Sequence, residues 1–264
     1  MITIIPKPTD IPSDNSTRQV IEELDKLGEP YKAVFLEAID PFSAELDGET
    51  IWACGIRQNA HNFEALSALA LHNRVINPPE GIVTCASKVM TSALLYKKGV
   101  QTPETFFTES RHLAGEFIRA HGTAVYKPVY GFDGVGITLV ESEEQLPDPP
   151  YYLQEYIPND RDFRVFVING KAVGAIMRVS DSLTHNIHQG GCGRSIEIDP
   201  DMAYIAAQAA ECVGVDYGGI DLLIHDGSYS VLEVNGTPNW HCMDAPIPRF
   251  LATYLIEQNR LEKQ

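Results

Sequence analysis

Residues 218–235 read GGIDLLIHDGSYSVLEVN, two apolar runs joined by Asp226-Gly227. This is the pattern of a β-hairpin. Loop length decides what the hairpin presents, because strand side chains alternate between faces. A three-residue loop (Asp226, Gly227, Ser228) pairs His225 with Tyr229 and sets Asp221 opposite Glu233. A two-residue loop sends those carboxylates to opposite faces. With the longer loop, which we expect, Ile220, Leu222, Ile224, Leu232 and Val234 form a core side. Asp221, Glu233 and Asn235 then share the other side. Directly opposed side chains sit roughly 5 Å apart at Cβ. Two carboxylates that close repel unless a cation lies between them. With an amide oxygen they suit a hard divalent ion such as Mg²⁺. Taken alone, the hairpin reads more simply as a solvated polar face, and its surroundings must decide.

The chain has 264 residues, enough for one or two domains with an ample core. Hydrophobic residues make up 44% and charged residues 21%, as in an ordinary globular protein. A net charge of -16 disfavours nonspecific binding to nucleic acid or anionic membrane. No apolar run approaches the ~18 residues of a spanning helix. The start, MITIIPKPTD, lacks the pattern of a signal peptide. Five cysteines, odd in number and without CxxC, point to a reduced, cytoplasmic setting.

Upstream, strands at Ile2–Ile5, Ala33–Leu36, Ile51–Ile56 and Val75–Ile76 alternate with helical stretches, which predicts a small parallel sheet. Thr84 is expected to cap a helix running to Lys98, with Lys88 in its first half. Strands follow at Ala124–Lys127 and Ile137–Val140 around the loop 130–136, YGFDGVG. Further strands are expected at Tyr152–Tyr156, Phe163–Ile168 and Ala172–Val179, the last two joined by Asn169-Gly170 as a type I′ hairpin. Residues 180–195 read as irregular. Asp199-Pro200 opens a helix to Val213, and Ala245–Gln258 closes the chain as an amphipathic helix.

Several groups have chemical potential. Gly131, Gly134 and Gly136 let backbone N–H groups approach phosphates, and Lys127 just upstream adds charge. A plain glycine-rich turn explains the loop as well. Gln154, Glu155, Tyr156 and Ile157 end a strand where backbone groups can meet an adenine edge. Asp162 and Arg164 share one strand face and Arg178 ends the next strand; these fit phosphate recognition or ion pairing equally. His185, His188 and Cys192 form an incomplete zinc pattern without a fourth ligand at the usual spacing, and Asn186 and Gln189 beside them are poor zinc ligands.

The order of these groups carries more than any one of them. Lysine in a helix, lysine plus glycine-rich loop, QEYI, DFR, Arg178, NxHxGG, then D-x11-E-x-N resembles the ATP-grasp superfamily. LQEYIPNDRDFRVFVINGKAVGAIMR and GGIDLLIHDGSYSVLEVNGTP resemble its RimK-type amino-acid ligases. The resemblance covers about residues 50 to 240. It implies a mixed α/β (α+β) ATP-grasp fold with a nucleotide cleft between two α+β subdomains. The implied units are an N-terminal parallel α/β (pre-ATP-grasp) domain at 1–80, a central subdomain at 81–158 and a C-terminal subdomain at 159–264.

It implies that Lys88 and Lys127 contact the ATP phosphates, with Gly131, Gly134 and Gly136 around them. Gln154, Glu155, Tyr156 and Ile157 would form the adenine hinge, with Asp162 near the ribose. Arg164, Arg178 and Asn186 would act on the phosphoryl group or substrate. Asp221, Glu233 and Asn235 would hold two Mg²⁺ ions, or Mn²⁺, and His188 and Gln189 would face the substrate. The implied reaction activates a carboxylate as an acylphosphate and joins it to an amine. Its partners are a small-molecule or peptide carboxylate and an amino acid, in a family that is often homo-oligomeric. The alternative is an ATP-binding protein without ligase activity that acts through partner contacts. One departure concerns the amine: the family motif reads NxHRGG, its arginine helping to bind the amino acid, and this chain has Gln189 there.

Overall fold

In a computed structural model, residues 1–12, 15–42, 46–129, 135–179 and 192–263 are described. The chain opens with β1 (Ile2–Ile5), α1 (Ser16–Leu27), β2 (Tyr31–Ala33), β3 (Thr50–Ala53), α2 (Ala60–Ala70) and β4 (Arg74–Ile76). The four strands pair in the order β2-β1-β3-β4, all parallel. β1 and β3 are buried along their whole length, which is why they read as unbroken apolar runs. Asn15 caps α1 through Arg18 N–H, and Gly28 ends it in the left-handed region.

α3 (Pro79–Ala86) and α4 (Lys88–Lys98) replace the single helix expected from Thr84 to Lys98. Ser87 breaks it: its extended backbone ends α3, and its hydroxyl accepts from Met90 N–H to start α4. Lys88 therefore stands at a helix start. β5 (Thr105–Thr108), α5 (Arg111–His121), β6 (Ala124–Lys127), β7 (Thr138–Val140) and β8 (Tyr151–Glu155) follow, with an antiparallel sheet in the order β5-β8-β6-β7. The apolar face of α5 (Ala114, Phe117, Ile118) covers it.

The third sheet uses β9 (Arg161–Ile168), β10 (Lys171–Val179), β11 (Cys192–Ser195), β12 (Tyr217–His225) and β13 (Ser228–Asn235), ordered β11-β10-β9-β12-β13. Residues 192–195, expected to be irregular, pair with β10 as an edge strand. α6 (Pro200–Val213) packs on one face against Val165, Val167, Ile220, Leu222 and Val234. α7 (Ile247–Leu261) covers Phe166 and Ile168 on the opposite face, together with α1 and the N-terminal sheet. Asp162 and Arg164 share that second face but lie beyond the cover, so alternation along β9 yields a core end and a cleft end.

The β12–β13 hairpin departs from expectation in an informative way. Its loop has two residues: His225 pairs with Ser228 rather than Tyr229, and Asp226 and Gly227 both have positive φ (50° and 78°). That is the type I′ turn favoured by Asp-Gly. Yet Asp221 still lies opposite Glu233, because the register shifts between Leu222↔Val231 and Asp221↔Glu233. The extra residue, Leu232, forms a β-bulge that restores the pairing. The core side changes accordingly. Val231 is fully buried, Leu232 is half-buried, and Ile224 is exposed.

Candidate active site

The cleft face of the third sheet carries a charged lattice built by strand register. Arg178 on β10 pairs with Asp162 on β9, Arg164 on β9 with Asp221 on β12, and Asp221 with Glu233 on β13. Directly opposed residues share a face, so five charged side chains fall on one face in two adjacent rows, Arg178–Asp162 and Arg164–Asp221–Glu233. Arg178 donates from Nε and Nη2 to the two Asp162 oxygens at 2.6 and 2.9 Å. Its Nη2 also lies 3.1 Å from Asp221 Oδ2. Arg164 donates to both Asp221 oxygens at 2.7 Å. These are paired forks, the strongest geometry available to arginine and carboxylate. The Arg178 side chain is only 3% exposed, so solvated surface ion pairing does not describe this lattice.

Electrostatics separate the two carboxylates. Burial alone would push the Asp221 carboxyl up, but Arg164 and Arg178 outweigh it and hold it at about 2. Glu233 retains solvent contact at the open floor of the cleft. It is nonetheless raised above the usual carboxylate range by desolvation and by Asp221, which Lys127, Lys88 and Arg164 only partly offset. Asn235 completes the group: with its amide oriented to satisfy both ends, it donates to Glu233 Oε1 at 3.2 Å and accepts from Arg164 Nη2 at 3.3 Å.

This donor set fits a hard cation. Carboxylate and amide oxygens are the ligands Mg²⁺ takes, and a cation beside Glu233 would relieve the like-charge repulsion that raises it. Among the described residues no group of three His, Cys, Asp or Glu side chains gathers as a metal cluster, so the cation would be held here by two carboxylates and an amide.

Across the cleft, Lys127 at the end of β6 donates to Gln154 Oε1 at 2.6 Å, and Gln154 Nε2 donates to Thr105 Oγ1 at 3.1 Å. Desolvation brings the Lys127 ammonium down to about 8, with Lys88 contributing and Glu233 and Asp221 opposing. The lysines thus stand close enough to the carboxylate row to act on it. At the strand end, Glu155 N–H is already bonded to Glu104 O at 2.8 Å. Its carboxylate lies 3.7 Å from His225 on the hairpin. The backbone after Glu155, at Tyr156 and Ile157, is half-buried beyond the end of β8. Gly136 adopts φ 78°, and a Cβ there would lie 2.9 Å from Pro128 Cγ, so this bend requires glycine. Gly131, Gly134, Asn186, His188 and Gln189 lie outside the described residues, as does His185 of the zinc pattern.

One residue of consequence has no motif. Asn77, fully buried after β4, accepts from Tyr217 N–H at 2.9 Å and donates to Tyr217 O at 2.8 Å and Gly236 O at 2.6 Å. It fixes the start of β12 to the segment just past Asn235. The only sequence signal was an asparagine between an apolar run and Pro78-Pro79.

A family model described as the RimK-like ATP-grasp domain matches residues 85–258. A tetrahydromethanopterin:alpha-L-glutamate ligase of Methanocaldococcus jannaschii is 33% identical over 195 residues, which is 67% of each chain. A probable alpha-L-glutamate ligase of Aeromonas salmonicida is 30% identical over 210 residues, covering 74% of this chain and 69% of that one. Among solved structures, the ATP-grasp ligase PsnB complexed with minimal precursor, Mg and ADP aligns with a TM-score of 0.78 at 20% identity, over 98% of both chains. That likeness establishes the fold.

Proposed function

The chain belongs to the RimK-like ATP-grasp family and is an ATP-dependent carboxylate–amine ligase, and on that footing we propose which residues carry the reaction and what it joins. The observation that carries the assignment is the set Arg178, Asp162, Arg164, Asp221 and Glu233 on one sheet face, with Lys127 and Lys88 acting on Glu233 from across the cleft. A sheet face of guanidinium groups and carboxylates with two half-buried lysines across from it is suited to gathering a triphosphate and its counter-ions.

ATP binds in this cleft with its phosphates toward Lys88, Lys127 and the loop of Gly131, Gly134 and Gly136. Its adenine meets the backbone after Glu155, along Tyr156 and Ile157, while Gln154 holds Lys127 in place. Asp221, Glu233 and Asn235 hold magnesium, two ions in our reading, with Mn²⁺ able to replace it. When bound, the metal offsets phosphate charge and orients the phosphate oxygens. Arg178 and Arg164, together with Asn186, bear on the phosphoryl group in transfer. Asp162 holds Arg178 in a fixed orientation through two hydrogen bonds. The acceptor carboxylate attacks the γ-phosphorus, the bond to the bridging oxygen breaks, and acylphosphate and ADP form. The amine then attacks the acyl carbon, expelling phosphate and losing a proton, which leaves an amide. No protein nucleophile is needed, because the work is positioning and charge neutralisation.

We read the acceptor as a small-molecule or peptide carboxylate and the amine as a glutamate-like amino acid. Similarity to two glutamate ligases supports this, with His188 and Gln189 facing the amino acid. The same reading divides the chain near residues 80 and 158. Among the described residues no helix is long and apolar enough to cross a membrane. Free Cys54, Cys85, Cys212 and Cys242 suit the reducing cytoplasm we assign to it.

The test is direct. Purified protein with ATP, MgCl₂, glutamate and a panel of pterin, deazaflavin and peptide carboxylates should release ADP in step with an adduct heavier by one amino-acid residue. ADP release that never couples to an adduct, with any amino acid, would overturn the assignment.

A further inference from the structure

The C-terminal ends of β1 and β3 and the segment after β2 enclose a separate cavity of ≈ 340 Å³. That is within the size range of small-ligand sites. Its position is not arbitrary. α1 leads from β1 to β2 on one side, whereas α2 leads from β3 to β4 on the other. The chain reverses direction between β1 and β3, and in open parallel sheets ligands bind beyond the strand ends at such a switch point.

The lining has a definite chemistry. Phe35, Leu36 and Ile56 supply apolar walls, and Phe35 is 67% exposed, which is high for a phenylalanine. Arg57 stands at the rim in an exposed position. The Lys7 side chain runs past Gly55, where a Cβ would meet Lys7 Cγ at 2.9 Å. Glu37 is the one carboxylate among the described lining residues. The first turn of α2, which begins just past Arg57, carries no acidic residue, so its positive end is not cancelled. In a chain of net charge -16, Arg57 in the lining and Lys7 behind Gly55, against the single carboxylate Glu37, leave a place for an anion with a flat apolar body beside Phe35.

The geometry also ties this cavity to the active site. The strands are parallel, so their C-terminal ends share one edge, and the last of them, β4, delivers Asn77 to Gly236 beside Asn235. Strands lie about 4.8 Å apart, so the cavity sits roughly 10 Å along that edge from Asn77.

We propose that this cavity anchors the carboxylate acceptor, holding a flat apolar body and an anionic group against Phe35 and Arg57. The reacting carboxylate then extends roughly 10–15 Å into the cleft, about three extended residues. This rests on the ligase assignment above and narrows its substrate to acceptors that carry a second anion at that distance.

The probe is naphthalene-2-sulfonate, a rigid aromatic anion, titrated into the full chain without ATP and followed by ligand-observed NMR. Wild type should bind. Arg57→Gln and Phe35→Ala, both at exposed positions that tolerate substitution, should each weaken binding about fivefold or more, the scale of one charged hydrogen bond or one lost apolar contact. Lys171→Gln, on the third sheet, should bind as wild type. Absence of binding by wild type, or equal binding by Arg57→Gln and Phe35→Ala, overturns the proposal. In turnover, Arg57→Gln should raise the acceptor KM about fivefold or more and leave the ATP KM unmoved. An unmoved acceptor KM overturns the anchoring role while leaving the ligase assignment intact. Intact probe binding with no ADP release from any acceptor would instead count against the ligase assignment.

Discussion

Replacing Arg178 by methionine keeps much of the side-chain bulk and removes the guanidinium, which isolates the energetic weight of the charged face. The side chain is 3% exposed, and its partners Asp162 and Asp221 are 8% and 9% exposed. The substitution deletes two hydrogen bonds to Asp162 and one contact to Asp221. Removing one partner of a buried pair costs about 3–5 kcal/mol, mostly the penalty of the charge left behind. Arg164 still holds Asp221 with two bonds, so the lower end applies, about 3 kcal/mol. For a chain of this size that corresponds to a fall in Tm of about 6–12 °C. Differential scanning calorimetry at pH 7.5 without nucleotide would measure it. The acid limb gives a second reading. The Asp221 carboxyl is held at about 2, below its unfolded value near 4, so its contribution is full above that unfolded value and is lost as pH falls toward 2. In the variant this carboxyl rises toward its ordinary range, so the gap from wild type should be full at neutral pH and narrow between about pH 4 and 2. Adding Asp162→Asn should recover part of the loss, because the remaining charge is removed as well. A Tm within about 2 °C of wild type, or a gap that stays constant into acid, would refute the idea that register-built buried pairs hold this face together.

Three further outcomes are expected. Millimolar MgCl₂ should raise the Tm of the wild type, and Glu233→Ala should abolish that rise and lower kcat at least about a hundredfold; retention of either in the variant would remove Glu233 from the metal set. Asn77→Ala should cost about 3 kcal/mol for three buried hydrogen bonds and raise the Mg²⁺ concentration needed for half-maximal activity, whereas a purely structural clamp would lower stability with no change in metal dependence. Cys54 is buried and Cys85 half-buried, and desolvation pushes both thiols up to about 12, so iodoacetamide at pH 8 should modify exposed Cys242 first and both of these far more slowly, as read by peptide mass spectrometry; labelling of Cys85 as fast as Cys242 would contradict its raised thiol.

Much of this protein was legible from residue order alone. Buried parallel strands announce themselves as short apolar runs, and Asn15, Asp199 and Gly28 mark helix ends through local capping that needs no tertiary partner. The ordered set from Lys88 to Asn235 identified the family because nucleotide chemistry requires those residue types in that sequence. What the sequence could not decide is how far each strand slides against its neighbour. The hairpin shows why. Asp-Gly favours a two-residue turn, which by itself would have turned Asp221 and Glu233 to opposite faces. One inserted residue, Leu232, reverses that outcome, and a bulge has no sequence signature because it depends on packing across the whole sheet. The ion pairs follow the same logic. DFR showed two charges on one face, but only the registers of β9 with β10 and β12 placed Arg178 on Asp162 and Arg164 on Asp221. Asn77 lay further still from view, since its three hydrogen bonds join residues about 140 and 159 positions away. Local chemistry is written along the chain, whereas the spacing between its carboxylates is a property of the assembled sheet.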